Sequence, residues 1–396
     1  MENRKQIFYW SLFDFANSTY ATIVLAFVFA IYFTGVICKG EPVGDFYWSL
    51  GINIAMIVSA VLNPLCGALA DFSNSKKKFL FFFTILAVIP TSLMYFTGEG
   101  TILFALVLLI LSNIGFQTGL TFYDAFIKEI TEEKYYNKVS GIGYAVGYLG
   151  SILSVVLVFP LKDNPNLLFL ICGVLYFVFS LPLFLFLKEK EKKHEEVSYL
   201  SYGFKKVIET LKEISKHHNL KWFLLSYFFF IDAVNTIIFF SGIYAQKTLN
   251  FEVSELAIFF LLVQITALLG SLFFGYAGDK IGIHKSIVIT LVIWTLITLA
   301  VFFTNDKMSF FIIGAFAGTF LGATQSLSRT MMAKLTPYNM KATLFGFYSL
   351  LEKTSTLLGP LTFGLVSWLS GSQKLAVLSV GFFFLIGMLT FRKVKV

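Results

Sequence analysis

Ser11-Leu12-Phe13-Asp14-Phe15-Ala16-Asn17-Ser18-Thr19-Tyr20 lies inside a hydrophobic stretch running from Trp10 to Ile37. At helical spacing Asp14, Asn17 and Ala21 share one narrow face, and the other faces are apolar. A carboxylate inside such a segment costs about 2.5–3.5 kcal/mol on insertion scales, so it is expected to face protein or a water-filled cavity. Ile231-Asp232-Ala233-Val234-Asn235 repeats the Asp-x-x-Asn spacing. Two such helices, one per half, predict a cavity between two related bundles.

Working outward, the 396 residues are 57% hydrophobic and 14% charged, with a mean hydropathy of +0.78. Apolar runs recur at the length of a bilayer span, about 20 residues. Twelve are expected, at 8–37, 46–70, 79–97, 101–127, 139–160, 166–187, 220–246, 254–278, 286–304, 308–333, 342–370 and 374–391. The fold class is therefore all-α integral membrane, as an N-terminal bundle (1–187), a connector (188–219) and a C-terminal bundle (220–396).

Charge sets the orientation. Of 31 Lys and Arg, only Lys39, Lys162, Lys247, Lys307 and Lys374 fall in the odd-to-even loops, and Lys353 lies within a span. The rest sit at the termini, in the even-to-odd loops or, as Lys221 and Arg329, near the span ends that adjoin them, which places both termini in the cytoplasm. This distribution argues against nucleic acid as the partner of the +8 net charge.

Cys38, Cys66 and Cys172 form no CxxC and read as small packing residues. His194, His217, His218 and His284 all fall in loops, so no intramembrane metal cluster or cofactor is expected. No cleavable signal is evident, because the first apolar run is too long. Within the connector, Lys188 to Glu196 is a charge run, and Leu200 to Ile214 is compatible with a surface helix.

An internal duplication is written after the second span of each half. Gly67-Ala68-Leu69-Ala70-Asp71 is matched by Gly275-Tyr276-Ala277-Gly278-Asp279-Lys280-Ile281-Gly282. Span four carries Asn113, Gln117, Thr121, Asp124 and Lys128 along one face; span ten carries Gly318, Gly322, Gln325 and Arg329 in the same register. Glu352 and Lys353 lie within span eleven, ahead of Gly359-Pro360. Spans three, six, nine and twelve have no ionisable side chain between their ends and read as lipid-facing scaffold.

Two six-span halves with a Gly-x-x-x-Asp motif resemble the major facilitator superfamily. Phe13 to Thr22, Ser140 to Gly150, Gln325 to Arg329, Phe345 to Tyr348 and Gly359-Pro360 narrow this to the vacuolar-effluxer-like, autophagy-related subgroup. The resemblance implies a secondary transporter working by alternating access, and favours an amino acid as solute and export as direction. One departure stands out: Phe72 and Asn74 occupy positions where the superfamily has a basic residue and a glycine, with charge displaced to Lys76–Lys78. The compact chain points to a bacterial inner membrane.

Candidates for solute binding or proton coupling are Asp14, Asn17, Gln117, Thr121, Asp232, Asn235, Gln325, Glu352 and Lys353. Counted at about 1.5 Å per residue, Asp232 and Lys353 lie near the midplane, where repeat-built transporters bind solute. Two readings stand for several of them. Asp232 could hold an ammonium or a proton, and Lys353 a carboxylate; or Lys353 could be held in a structural pair, with the neighbourhood of Glu352 or with Asp232 across spans seven and eleven. Asp14 could contact solute or a proton, or make a helix-packing hydrogen bond. Asp71, Asp124, Asp279, Lys280 and Arg329 are the gating candidates, with Asp124 and Arg329 either meeting across the midline or each paired within its own half. The partners expected are a small solute, protons and lipid, with the protein a monomer. An enzyme is disfavoured, since no Gly-x-Ser-x-Gly, phosphate loop or metal-ligand cluster is present. Export of amphipathic compounds and a non-transporting sensor are the competing readings.

Overall fold

The computed structural model describes residues 4–26, 28–41, 43–161, 164–189, 209–210, 212–356 and 358–395, and these are helical but for short loops. Eleven helices among them are long and apolar enough to cross a membrane. Span one is Arg4–Ile37, widening into π-type turns at Ala21–Ala26 and Phe33–Ile37. Spans two to six are Tyr47–Ser73, Lys76–Phe96, Ile102–Ile130, Glu133–Val158 and Pro165–Phe186. Spans seven to ten are His218–Gln246, Glu255–Ile281, Ile283–Phe303 and Lys307–Leu335, and the last is Gln373–Phe391. Several of these helices begin at a side-chain cap: Asn164 accepts from Leu167 N, Asp306 from Ser309 N and Ser372 from Leu375 N, while Glu252 and Glu255 form a capping box.

The remaining apolar run, 342–370, is not one helix. It divides into Lys341–Ser355 and Leu358–Ser370. The local chemistry accounts for the break. Pro360 has no N–H, and its ring crowds the carbonyl four residues back, at Thr356. Ahead of it, hydroxyls satisfy carbonyls that would otherwise continue the ladder: Ser355 Oγ donates to Glu352 O at 2.9 Å and Thr356 Oγ1 to Lys353 O at 2.7 Å.

Packing separates two compact units. The first comprises Met1–Glu132, Val146–Val207 and Tyr338–Phe347; the second comprises Glu133–Ala145, Ile208–Pro337 and Tyr348–Val396. Each takes a short segment from the other half of the sequence: the start of span eleven packs in the first unit, and the start of span five in the second. The first unit is built on buried Trp10, Phe13, Tyr20, Tyr123 and Tyr176, the second on Tyr227, Tyr244 and Trp294. All three cysteines are free; Cys38 and Cys172 are buried and Cys66 half-buried, as packing residues would be. Most of the charge run from Lys188 and of the helix expected at 200–214 lies outside the described residues.

Candidate functional site

In the first unit, the carboxylate that organises span one is tied to its neighbours. Asp14 is 4% exposed, and its Oδ2 accepts from Tyr123 Oη of span four at 3.0 Å. Tyr123 is held in turn by stacking on Trp10, with centroids 4.6 Å apart, and by Trp10 Nε1 donating to its carbonyl at 2.9 Å. Asn17 Oδ1 accepts from Tyr176 Oη of span six at 3.1 Å. Span six, read from sequence as scaffold, thus also anchors a polar group of span one. On span four, Asn113 and Thr121 are each 1% exposed, and no described residue hydrogen-bonds either side chain. Gln117 and Asp124 on the same face are half-buried.

In the second unit, Asp232 is fully buried. Among the described residues no side chain donates a hydrogen bond to either of its carboxylate oxygens; the backbone of Gly359 stands against it. The ion pair with Lys353 weighed from sequence is not formed. Lys353 Nζ instead donates to Ser349 Oγ at 2.7 Å, one turn back on its own helix, because that hydroxyl lies within reach along the same face. Asn235, Gln325 and Glu352 are half-buried. Arg329 is 1% exposed, with its guanidinium 3.9 Å from the Tyr144 ring centroid. The polar face of span ten is divided in use: Gly318 and Gly322 meet the backbone of span eight at Val263 and Ala267, which only a hydrogen side chain permits.

The duplicated Gly-x-x-x-Asp motif finds its partner at the start of another span, once in each unit. Asp71 accepts from the backbone N of Ala342 at 3.1 Å, from Thr343 N at 2.8 Å and from Thr343 Oγ1 at 2.9 Å. It therefore supplies the anion that the first turn of Lys341–Ser355 needs. Asp279 accepts from Asn137 Nδ2, at the start of span five, at 2.9 Å. The backbones approach closely beside each carboxylate. A Cβ at Gly346 would lie 2.6 Å from Asn63 O, and one at Gly141 would collide with Ser271 O; Asn63 and Ser271 each lie eight residues before their Asp. Lys280, the gating candidate beside Asp279, is exposed and lies over the Tyr276 ring at 4.7 Å.

The sequence departure at Asn74 is resolved by backbone geometry. Three residues after each Asp the chain enters the left-handed region, at φ +46° for Asn74 and +90° for Gly282. Asn is the ordinary residue type that tolerates this region best after Gly. The displaced lysine is also used. Lys76 Nζ lies 3.1 Å and Lys341 Nζ 2.7 Å from Glu129 Oε1, all three side chains at most 5% exposed. Glu189, just after span six, accepts from Lys76 N at 2.8 Å and Lys77 N at 3.3 Å, and its Oε1 is 3.5 Å from Lys76 Nζ. Burial pushes the Glu189 carboxyl above its usual range, against the pull of Lys76.

Sequence reasoning did not single out Tyr123, Tyr176, Thr343, Asn137 or Glu129. One signal for Asn137 was available: Tyr136-Asn137 and Tyr338-Asn339 recur around the start of the fifth span of each half.

Comparison with known proteins agrees with this architecture. The profile of the family described as "Vacuole effluxer Atg22 like" matches residues 47–396. The uncharacterized MFS-type transporter YxiO of Bacillus subtilis is 30% identical over 96% of this chain and 92% of its own. Autophagy-related protein 22 of Yarrowia lipolytica is 27% identical over 65% of this chain, and the match spans half of that protein. Among solved structures, the human organic anion transporter MFSD10 superposes with a TM-score of 0.78 at 12% identity, over 98% of this chain and 99% of that one. The proton:xylose symporter XylE gives 0.76 at 12% identity, over 99% and 95%. The chain belongs to the Atg22-like vacuole effluxer family, as a multi-pass membrane protein of the major facilitator type and not an enzyme.

Proposed function

From that membership we propose a proton-coupled secondary transporter that moves a small polar or zwitterionic solute, an amino acid foremost, outward by alternating access. The proposal includes a twelve-span topology, with the broken run 342–370 as span eleven, both termini in the cytoplasm of a bacterial inner membrane, and a monomeric chain. The observation that carries it is Asp232: a wholly buried carboxylate with no side-chain partner among the described residues, in the middle of an apolar helix. Such a group is expensive inside a membrane protein, and proton relays are among the roles that retain it.

In this reading the half-buried Gln117, Asn235, Gln325 and Glu352, with Lys353, orient the solute. The contacts of Asp71 with Thr343 and of Asp279 with Asn137 are the latches of the cytoplasmic gate. Asp279 is exposed and Asp71 half-buried, and their partners are backbone, hydroxyl and amide groups that water can replace. Asp124 and Arg329 complete the gate.

The test is a thermal-unfolding screen of the detergent-purified protein against amino acids, sugars, organic acids and cationic drugs, followed by flux in vesicles with an imposed pH gradient. A ligand at 100 times its Kd adds about 2.7 kcal/mol of stability. Stabilisation by an amino acid, with flux that collapses with the gradient, is the expected result. Stabilisation by amphipathic compounds alone would overturn the substrate class, and gradient-independent flux the coupling.

A further inference from the structure

The two halves of the duplication treat the entry to their third helix differently. In the first unit Lys76 and Lys77 open span three, and the chain itself supplies an anion there. Glu189, just after span six, accepts from Lys76 N at 2.8 Å and from Lys77 N at 3.3 Å. In the second unit the duplicated motif puts His284 and Lys285 in the same places, five and six residues after the Asp. There Ile283–Phe303 opens after Gly282, which has no side chain to cap it. What reaches this helix start from span twelve is the ring of Phe391, stacked on the His284 imidazole with centroids 4.7 Å apart, and Arg392 and Lys393 follow it. An acid in the first copy is answered by a ring and two bases in the second.

Further cations collect at the same edge. Lys221 at the beginning of span seven, Lys285, and Arg392, Lys393 and Lys395 beyond span twelve are all exposed, and none has a carboxylate partner among the described residues. The nearby acids are committed elsewhere: Glu213 lies 3.3 Å from Lys216 Nζ and 3.4 Å from His217 Nε2, and Asp279 accepts from Asn137. The segment after span twelve is fixed in place. Asn219 grips both backbone groups of Lys395, accepting from its N–H at 3.0 Å and donating to its carbonyl. His218 Nε2 lies 3.1 Å from Lys393 O, and Lys393 Nζ sits 3.8 Å from the Trp222 ring centroid. Val394 is buried between two exposed lysines, so the segment turns its valine inward and its cations outward.

We infer that this cluster, at the membrane–water boundary of spans seven, nine and twelve, is a binding site for the phosphate of an anionic phospholipid. The site stands apart from the transport reading, and its occupancy is measured without flux.

Cations gathered at one edge without counter-charges repel one another, and an anion among them removes that cost. The first N–H groups of Ile283–Phe303 and the positive end of its dipole favour the same charge. Arg392 adds a forked donor that matches phosphate oxygens in pairs, and Lys285 a point charge. Location selects the source of the phosphate. Trp222 is half-buried within the cluster, and tryptophan is the residue type that settles at headgroup level. Leu225, Ile289, Ile386 and Leu389, further along the same three spans, are exposed apolar side chains on which acyl chains can lie. A free phosphate ion makes no use of them.

The test is binding of phosphatidylglycerol to the delipidated full-length protein in neutral detergent, followed by native mass spectrometry, with phosphatidylcholine, inorganic phosphate and poly-glutamate as comparison probes. Wild type should bind phosphatidylglycerol at least tenfold more tightly than phosphatidylcholine. A basic residue beside an anionic headgroup is worth roughly fivefold, so Lys285→Gln, Arg392→Gln and Lys393→Gln combined should weaken binding about a hundredfold. Arg4→Gln, Lys5→Gln and Lys78→Gln combined remove the same charge from exposed positions of the first unit and should change it less than threefold. Equal losses in the two variants would reduce the effect to net charge and overturn the site. Phosphatidylcholine bound as tightly, or inorganic phosphate displacing the lipid at equal concentration, would overturn the lipid as ligand; tighter binding of poly-glutamate would assign the cluster to an acidic protein segment instead. Should the second-unit variant not fold, hydrogen–deuterium exchange of wild type in nanodiscs decides. Phosphatidylglycerol should protect the peptides covering 283–290 and 388–395 relative to phosphatidylcholine, and equal exchange in the two lipids overturns the inference.

Discussion

Replacing Asp71 by Asn should loosen the start of span eleven far more than the same change at Asp279 loosens the start of span five. Asp71 accepts three hydrogen bonds, two from the first backbone N–H groups of Lys341–Ser355 and one from Thr343 Oγ1. An amide keeps one acceptor oxygen. Set at the Oδ2 position it retains both Thr343 donors as neutral bonds and turns its NH2 toward the Ala342 N–H, donor against donor. Charge-assisted bonds are worth about 1.5–3 kcal/mol and neutral ones about 1, so even at the low end of that range the loss of one and the weakening of two amount to about 2.5 kcal/mol. At 1.4 kcal/mol per decade this is roughly 60-fold or more in the opening equilibrium. Asp279 accepts one bond, from the Asn137 side chain at an exposed position, and its replacement should cost about 0.5–1.5 kcal/mol. The assay is amide exchange of peptides covering 338–347 and 133–145 in the two variants. Equal deprotection of the two peptides, or unchanged exchange at 341–345 in Asp71→Asn, would refute the assignment of Asp71 as the cap of that helix.

Further outcomes follow from single contacts. Asn74→Gly should leave the melting temperature unchanged or raise it, while Asn74→Val should cost about 1–2 kcal/mol, because φ is +46° there; equal melting temperatures would contradict the backbone argument. Glu129→Gln should destabilise by about 3–5 kcal/mol by leaving Lys341 buried against a neutral group and Lys76 only its longer pair with Glu189, and more than Lys341→Met, which leaves Glu129 its partner Lys76; chemical denaturation ranks the two. In the loops outside the spans, the Lys39 hydrogen bond and charge hold the Glu99 carboxyl below its usual range, and Glu99 holds the Lys39 ammonium above its own. Glu99's contribution is thus present above the ordinary Glu range and lost as pH falls through its lowered value; that of Lys39 is lost as pH rises through its raised one. Both side chains are exposed, so high salt should erase any difference between wild type and Lys39→Gln.

The membrane spans, the family and the duplicated Asp motifs were legible in the sequence, because each is written within about 20 residues: an apolar run, a carboxylate inside it, a glycine four before an Asp. Even the requirement behind Asn74 was half visible, since Gly282 occupies the same place in the second copy. What the sequence could not decide was which distant group each polar residue meets. Asp71 reaches Thr343, Asn17 reaches Tyr176 and Glu129 reaches Lys341 across hundreds of residues or nearly so, and these pairings depend on how closely helices approach. The break in span eleven and the absence of a described side-chain donor at Asp232 belong to the same class. A hydropathy window treats 342–370 as continuous, because it averages over the Pro360 ring and the serine and threonine hydroxyls that end the ladder. Chain-local hydrophobicity settled that this protein spans a membrane. Only the packed helices decided that one of its two equivalent buried aspartates is satisfied by a tyrosine and the other is not, because a hydrogen bond is set by ångströms between helices rather than by position along the chain.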